Sequence, residues 1–265
     1  MNIGFIGCGN MASAIIKGIV ESKAIDANNV FVFDTSIEKT TVLHNEYSIN
    51  VCENENQVAI ESDYIVLAVK PNVLSTVLKK IDSVIKGENK VLISIAAGKT
   101  ISFIAENLTQ DNKIIRVMPN INAKVQAACC AYCYNDLVED NDKKVIEKIF
   151  NSVGSITALD ESYFPLFGVI GGCAPAFAYM FIDELARAAV KHGMAKDTAL
   201  KFAAQTVMGS AKMVLESGIH PYQLIDMVCS PGGTTIEGVL SLQEDGFDNA
   251  VHNAVNKAVE KDKKL

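Results

Sequence analysis

Asn2-Ile3-Gly4-Phe5-Ile6-Gly7-Cys8-Gly9-Asn10-Met11-Ala12 is the stretch that decides the fold. A short apolar run leads directly into two spaced glycines, and a helical pattern follows from Met11 to Glu21. Gly7 allows a tight bend, Gly9 lets the backbone approach a pyrophosphate, and Ala12 stands where a third small residue packs the helix on the strand. The helix N-terminus then faces an anion. Ile6, Gly7, Cys8, Gly9, Asn10 and Met11 are therefore the first cofactor-binding candidates.

Working outward, the chain alternates strands and helices up to about residue 160. Strands are expected at Asn2 to Ile6, Val30 to Phe33, Tyr64 to Val69, Val91 to Ile95 and Ile114 to Met118, with weaker ones at Ala128 to Tyr134 and Ser155 to Ala158. Between them fall helical patterns at Met11 to Glu21, Ile37 to Glu46, Val73 to Ile85, Phe103 to Leu108 and Asp142 to Phe150. This is the pattern of a parallel sheet with crossover helices. Beyond residue 160 only helix-period patterns remain, with Phe177, Met180, Phe181, Leu185 and Ala189 recurring on one face. The expected fold is α/β: residues 1–160 form a Rossmann-type doubly wound sheet, and 161–265 form an all-helical domain for dimerisation and substrate binding. Alanines at 174, 176, 178, 186 and 188 make α-helices that must be covered from several sides, which points to an obligate oligomer.

Composition narrows the partners. The 265 residues are 49% apolar, enough to fill a core, and the formal charge of -7 leaves no basic surface for nucleic acid. Seven cysteines, an odd number without secretory features, read as reduced thiols of a cytosolic protein. Cys129-Cys130-Ala131-Tyr132-Cys133 has no second Cys or His pair at metal-binding spacing, so these are read as strand residues and no metal site is expected. The strand-like start leaves no room for a signal segment. The apolar run Val169 to Ile182 is broken by Gly171, Gly172 and Pro175, falls short of a bilayer span and reads as a buried helix, so no membrane partner is expected. Lys257 to Lys264 reads as a solvated helix end.

Other residues fall at the carboxyl ends of strands, where open α/β sheets bind ligands. Asp34 follows the second strand and can take a ribose hydroxyl or cap the next helix. Ala68-Val69-Lys70-Pro71 follows the third, with Pro71 expected to start a helix and Lys70 either at the nicotinamide end or an exposed loop lysine. Ile95, Ala96 and Ala97 follow the fourth and leave room for a cofactor, as small loop residues commonly do. Far downstream, Ser230-Pro231-Gly232-Gly233-Thr234-Thr235-Ile236-Glu237 must turn sharply, and Thr234 with Glu237 has the spacing of a capping box. The turn aims backbone N–H groups and hydroxyls into one space. It is either a cradle for a carboxylate or an ordinary helix connection.

Five motifs together resemble the pyrroline-5-carboxylate reductase family: Gly7 to Ala12, Val69-Lys70-Pro71, Arg116-Val117-Met118-Pro119-Asn120, Gln205 to Met213, and Ser230 to Thr235. They stand in the family's order and span nearly the whole chain. The chain departs from the family pattern at Ile121-Asn122 and at Gly171 to Phe177. The resemblance implies reduction of 1-pyrroline-5-carboxylate to L-proline, the last step of proline biosynthesis, with NADPH or NADH as hydride donor. It implies a homodimer through the helical domain, with higher assembly such as a decamer. Thr235 and Lys70 become the candidate catalytic residues. Ser230, Gly232, Gly233 and Thr234 hold the substrate carboxylate, and the Thr235 hydroxyl meets the ring nitrogen.

A cyclic imine enters already protonated, so hydride attack neutralises it and no strong general acid is needed. None of the four histidines joins a catalytic group in the sequence. A 3-hydroxy-acid dehydrogenase resembles enzymes with a lysine on the helix after Gly171, which is lacking here through Ala186. A ketol-acid reductoisomerase needs a carboxylate cluster for magnesium, where this chain has Asp183-Glu184 on different helix faces. The remaining alternatives are a reductase of a related cyclic imine acid, since one methylene changes discrimination by only about 1 to 3 kcal/mol, and a non-catalytic NAD(P)-binding oligomer.

Overall fold

Strands β1 (Ile3–Ile6), β2 (Val30–Phe33), β3 (Asn50–Val51), β4 (Tyr64–Leu67), β5 (Val91–Ser94), β6 (Lys113–Met118), β7 (Ala128–Tyr134) and β8 (Gly154–Ala158) form one sheet. Its order is β3-β2-β1-β4-β5-β6-β7-β8. This is a computed structural model, and it describes residues 1–262. Helices α1 (Asn10–Glu21), α2 (Ile37–Tyr47), α3 (Glu55–Glu61), α4 (Leu74–Ile85), α5 (Ile101–Ala105) and α6 (Asp140–Asn151) connect the strands. All pairings are parallel except β6 with β7, which is antiparallel. The expected parallel pattern is corrected there for a geometric reason. The connection 119–127 is shorter than the dozen or so residues a parallel crossover needs.

Strand alternation divides the core between the two faces of the sheet. Ile3 and Phe5 of β1 pack with Ile15, Ile16 and Ile19 of α1 and Ile149 and Phe150 of α6. Ile6 joins Ile65 and Leu67 against Leu74, Leu78 and Ile81 of α4. These side chains are essentially sealed from water, and each contributes roughly 1.5 to 3 kcal/mol against an exposed reference. Because β1 lies between β2 and β4, the strand order reverses beside it, which is where such sheets open a crevice.

The chain divides into two compact units, Met1–Gly172 and Cys173 onward. The stretch 161–172, grouped with the helices from sequence, packs on the sheet unit. Phe164, at the start of α7 (Phe164–Phe167), is fully buried with Ala131 and Cys133. Arg116 lies over its ring at 4.5 Å and pairs with Glu161 at 2.8 Å. A π-helical turn, Gly168–Cys173, follows.

The second unit contains α8 (Ala174–Lys191), α9 (Lys196–Ser217), α10 (Pro221–Val228), α11 (Thr234–Glu244) and α12 (Phe247–Asp262). Gly171, Gly172 and Pro175 do not interrupt the helical run as expected. The glycines lie in the π-helical turn and Pro175 in the first turn of α8, and the helical run continues through all three. The run 161–191 is therefore long and apolar enough to cross a membrane by length and composition. Nor is α8 buried within one chain. Tyr179 and Met180 are exposed, and among the described residues only Ala186, Ala199 and Ala203 are buried apolar side chains in this unit. Lys257 pairs with Glu260 at 3.1 Å, while Lys263 and Lys264 lie outside the described residues.

Candidate active site

A groove of about 380 Å³ opens at the carboxyl ends of β1, β2 and β4. Ile6, Gly7, Gly9, Asp34, Ala68, Val69 and Lys70 line it, together with Thr35, Lys39 and Glu55. Gly7 has φ +100°, and a Cβ there would stand 2.7 Å from the Ala68 carbonyl oxygen, so glycine is required by both backbone and space. Gly9 caps α1 without a side-chain bond, and a Cβ on it would meet nothing within 4 Å. The first N–H groups of α1 thus face an open approach, which suits a dinucleotide pyrophosphate.

Asp34 is held by the same loop. One carboxylate oxygen accepts the Cys8 backbone N–H at 2.7 Å, the other accepts the Ser36 N–H at 2.8 Å, and Lys39 lies 3.4 Å from both. Burial pulls this carboxyl upward, but the two N–H bonds and Lys39 outweigh it and hold it below the ordinary carboxylate range. Asp34 is not the cap of α2. That position belongs to Ser36, and Asp34 instead closes a turn two residues before it.

The other candidates divide. Cys8 and Asn10 line an adjoining groove between α1 and α2. The Cys8 side chain is buried, and burial first, then Asp34, pushes its thiol up to about 12, so its contribution is its backbone N–H. Met11 packs against the core. Pro71 does not start a helix. Lys70 accepts the Val73 N–H through its carbonyl at 2.9 Å in a turn, and α4 begins at Leu74. Lys70 itself is exposed. Ala96 turns its side chain into the core beside α4, while Ile95 packs on the opposite face and Ala97 is exposed.

In the second unit, Ser230 to Gly233 form a tight turn. The Gly233 N–H donates to the Ser230 carbonyl at 3.0 Å, and Gly232 supplies φ +67° after Pro231, as a type II turn requires. The capping box expected from Thr234 and Glu237 is corrected here. Gly233 is the cap, no side chain bonds to it, and Thr234 is already the first helical residue. The turn is compact enough to start α11 one residue early, leaving its first N–H groups open to an anion. Ser230, Gly232, Thr234 and Thr235 are all exposed around that end.

Compared with known proteins, the chain is 46% identical over 264 residues to the pyrroline-5-carboxylate reductase of Escherichia coli (strain K12), covering 99% of this chain and 97% of that protein. The chain belongs to the pyrroline-5-carboxylate reductase family. Methanosarcina acetivorans has a relative of the same name at 40% identity, covering 99% of this chain and 97% of its own. The solved reductase of Coxiella burnetii superposes with a TM-score of 0.95 at 30% identity, covering 99% of this chain and 97% of that one. That of Plasmodium falciparum, solved with NADP bound, gives 0.85 at 37%, covering 100% and 97%. Residues 161–265 match the family's dimerisation model, and residues 2–98 match a model described as NADP oxidoreductase coenzyme F420-dependent. A helical half of this kind makes the chain a homo-oligomer.

Two residues of one family motif, Arg116 to Asn120, serve as joints. Arg116, besides pairing with Glu161, is 6% exposed and holds the segment before α7 to β6. Asn120 donates to the Gly171 carbonyl at 2.9 Å and accepts the Cys129 N–H at 3.3 Å. Like Phe33, Val73 and Val77, Glu55 is a groove residue that sequence reading missed. Its signal was Asn54, whose side chain caps α3 by accepting the Gln57 N–H at 3.0 Å.

Proposed function

We propose that the protein reduces 1-pyrroline-5-carboxylate to L-proline with a hydride from NAD(P)H, closing proline biosynthesis. The observation carrying this reading is full-length family membership joined to a glycine-turn groove with free N–H donors at a helix start. When bound, the nicotinamide supplies the hydride. Gly7, Gly9 and the first turn of α1 would hold the pyrophosphate, Asp34 a ribose, and Ala68, Val69 and Lys70 the wall toward the nicotinamide. Ser230, Gly232, Gly233 and Thr234 would hold the substrate carboxylate against the start of α11. Thr235 would direct its hydroxyl to the ring nitrogen.

The substrate carries its own proton into the reaction. Hydride adds to the imine carbon, the C=N electron pair moves to nitrogen, and the positive charge there disappears. The residues therefore need to orient and to exclude misplacement rather than to transfer a proton. We place the protein in the cytoplasm, where its seven free cysteines suit a reducing compartment. A homodimer through α8 to α12 is the proposed unit, from which a decamer would be built.

The test is direct. Folded protein should oxidise NAD(P)H only when the five-membered imine carboxylate is supplied, forming proline in equal amount. No turnover with either cofactor would remove this reading.

A further inference from the structure

We propose that this chain selects NADH over NADPH, because two fixed carboxylates, Asp34 and Glu55, share the groove wall beside the adenosine ribose. The inference rests on the reading of that groove as the dinucleotide site. Asp34 follows β2, the position from which an acid reaches the ribose hydroxyls in such folds. Its two oxygens are clamped by the Cys8 and Ser36 N–H groups, so it cannot swing away. Lys39 shares both oxygens only at 3.4 Å, a long contact that a shorter bond from a ribose hydroxyl can replace on one of them. A hydroxyl has a proton to donate, whereas a 2′-phosphate brings only negative charge and acceptors.

Glu55 adds to the same field. It stands in the first turn of α3, lines the groove, and is gripped by Lys80 at 2.8 Å with its side chain only 12% exposed. Burial draws its carboxyl upward, but the hydrogen bond from Lys80, a backbone N–H bond and the Lys80 charge together outweigh this and keep it below the ordinary range. Against these acids the groove sets Lys39 and Lys70, and no arginine is among its lining residues. Lys39 is already engaged with Asp34 at 3.4 Å, and turning it toward a phosphate would uncover that carboxylate. Thr35 offers a phosphate only a neutral hydroxyl, which does not offset a carboxylate fixed beside it once Lys39 has turned away.

Calorimetric titration of the full chain with ADP-ribose and with 2′-phospho-ADP-ribose reads this without turnover. ADP-ribose should bind at least tenfold tighter. D34S should narrow that ratio several-fold by strengthening the phosphorylated fragment, and E55Q should narrow it less while leaving the Asp34 clamp in place. The kcat/KM ratio for NADH against NADPH should follow the same order. Equal or tighter binding of the phosphorylated fragment by the native protein overturns the proposal. So does an unchanged ratio in folded E55Q and D34S together. Binding of neither fragment would remove the dinucleotide reading along with it. A tenfold preference without imine reduction would leave the selectivity standing and sink only the proposed reaction.

Discussion

Thr235 can offer the substrate one polar group, and it sits on the second residue of a helix whose first turn has no side-chain cap. Thr235→Ser should retain most of kcat/KM, while Thr235→Val, which keeps the shape, should lose about 0.5 to 1.5 kcal/mol of transition-state stabilisation, with misalignment adding to it. Cofactor affinity should not move. If Ser and Val variants behave alike in steady-state kinetics, the hydroxyl has no part in the chemistry. The neighbouring glycines separate backbone from space. Gly232 needs a positive φ but has nothing within 4 Å, so Gly232→Ala should mainly cost stability, about 1 kcal/mol in thermal or denaturant unfolding. Gly233 has an ordinary φ of -80°, yet a Cβ there would lie 2.3 Å from the Ser230 Oγ. Gly233→Ala should therefore displace the Ser230 hydroxyl and raise KM for the imine several-fold. Adding Ser230→Ala to it should change little further, and full additivity in a double-mutant cycle would show that the two positions act independently.

At the level of elements, α6 is anchored to the sheet by one acid. Asp142 accepts from Lys113 of β6 at 3.0 Å, the Tyr64 hydroxyl of β4 at 2.9 Å and the Glu139 N–H at 3.0 Å, completing a capping box with Glu139. Burial raises this carboxyl, but Lys113 first and the other donors after it bring it below the ordinary range. A carboxyl depressed in the folded state stabilises the fold above its unfolded value, about 3.9, and loses that contribution as pH falls through the folded value. Asp142→Ala should cost about 2 to 3 kcal/mol near neutrality, less than the ~3 to 5 of an uncompensated charge because Glu139 remains 3.3 Å from Lys113. In Tm measurements from pH 7 down to pH 3, the native protein should fall more steeply than the variant; parallel curves would contradict the assignment. Most elements of the sheet unit were legible in sequence because β-branched runs and helical spacing agree there, and Val30–Phe33 and Ala128–Tyr134 stand with the expected bounds. β3 and α3 escaped because a two-residue strand has no periodicity and Glu55–Glu61 is only two turns of helix with few apolar residues. Glu55 escaped with them. The start of α11 was misplaced by one residue because Thr234 and Glu237 have capping-box spacing, while the backbone of the Pro-Gly-Gly turn selects Gly233 as cap.

For the molecule as a whole, the two units carry their apolar side chains differently. The sheet unit seals Ile, Leu, Val and Phe on both faces, whereas among the described residues the helical unit buries only Ala186, Ala199 and Ala203 as apolar side chains, packed with Ile182 and Ala189. Three alanines remove far too little apolar surface to offset the conformational entropy of fixing five helices. Meanwhile Met180 is 69% exposed, Phe202 61% and Met208 58%. That surface is what an obligate interface covers, at about 2,000 Å² or more between protomers. The part of the apolar run 161–191 that belongs to the helical unit adds Phe177, Tyr179 and Leu185 to that exposed surface. Placing a charge in that interface should separate the protomers, because burying an unpaired carboxylate is costly whereas exposing it is not. Met180→Glu should therefore lower the sedimentation coefficient of the purified protein to that of a monomer or smaller assembly at micromolar concentration. It should also lower Tm, since folding of the helical unit is linked to association. Lys79→Glu, at an exposed position of α4 in the sheet unit, serves as the control and should leave the assembly intact. A native protein that sediments as an active monomer, or a Met180→Glu variant that keeps its size, would refute the proposed dimer surface.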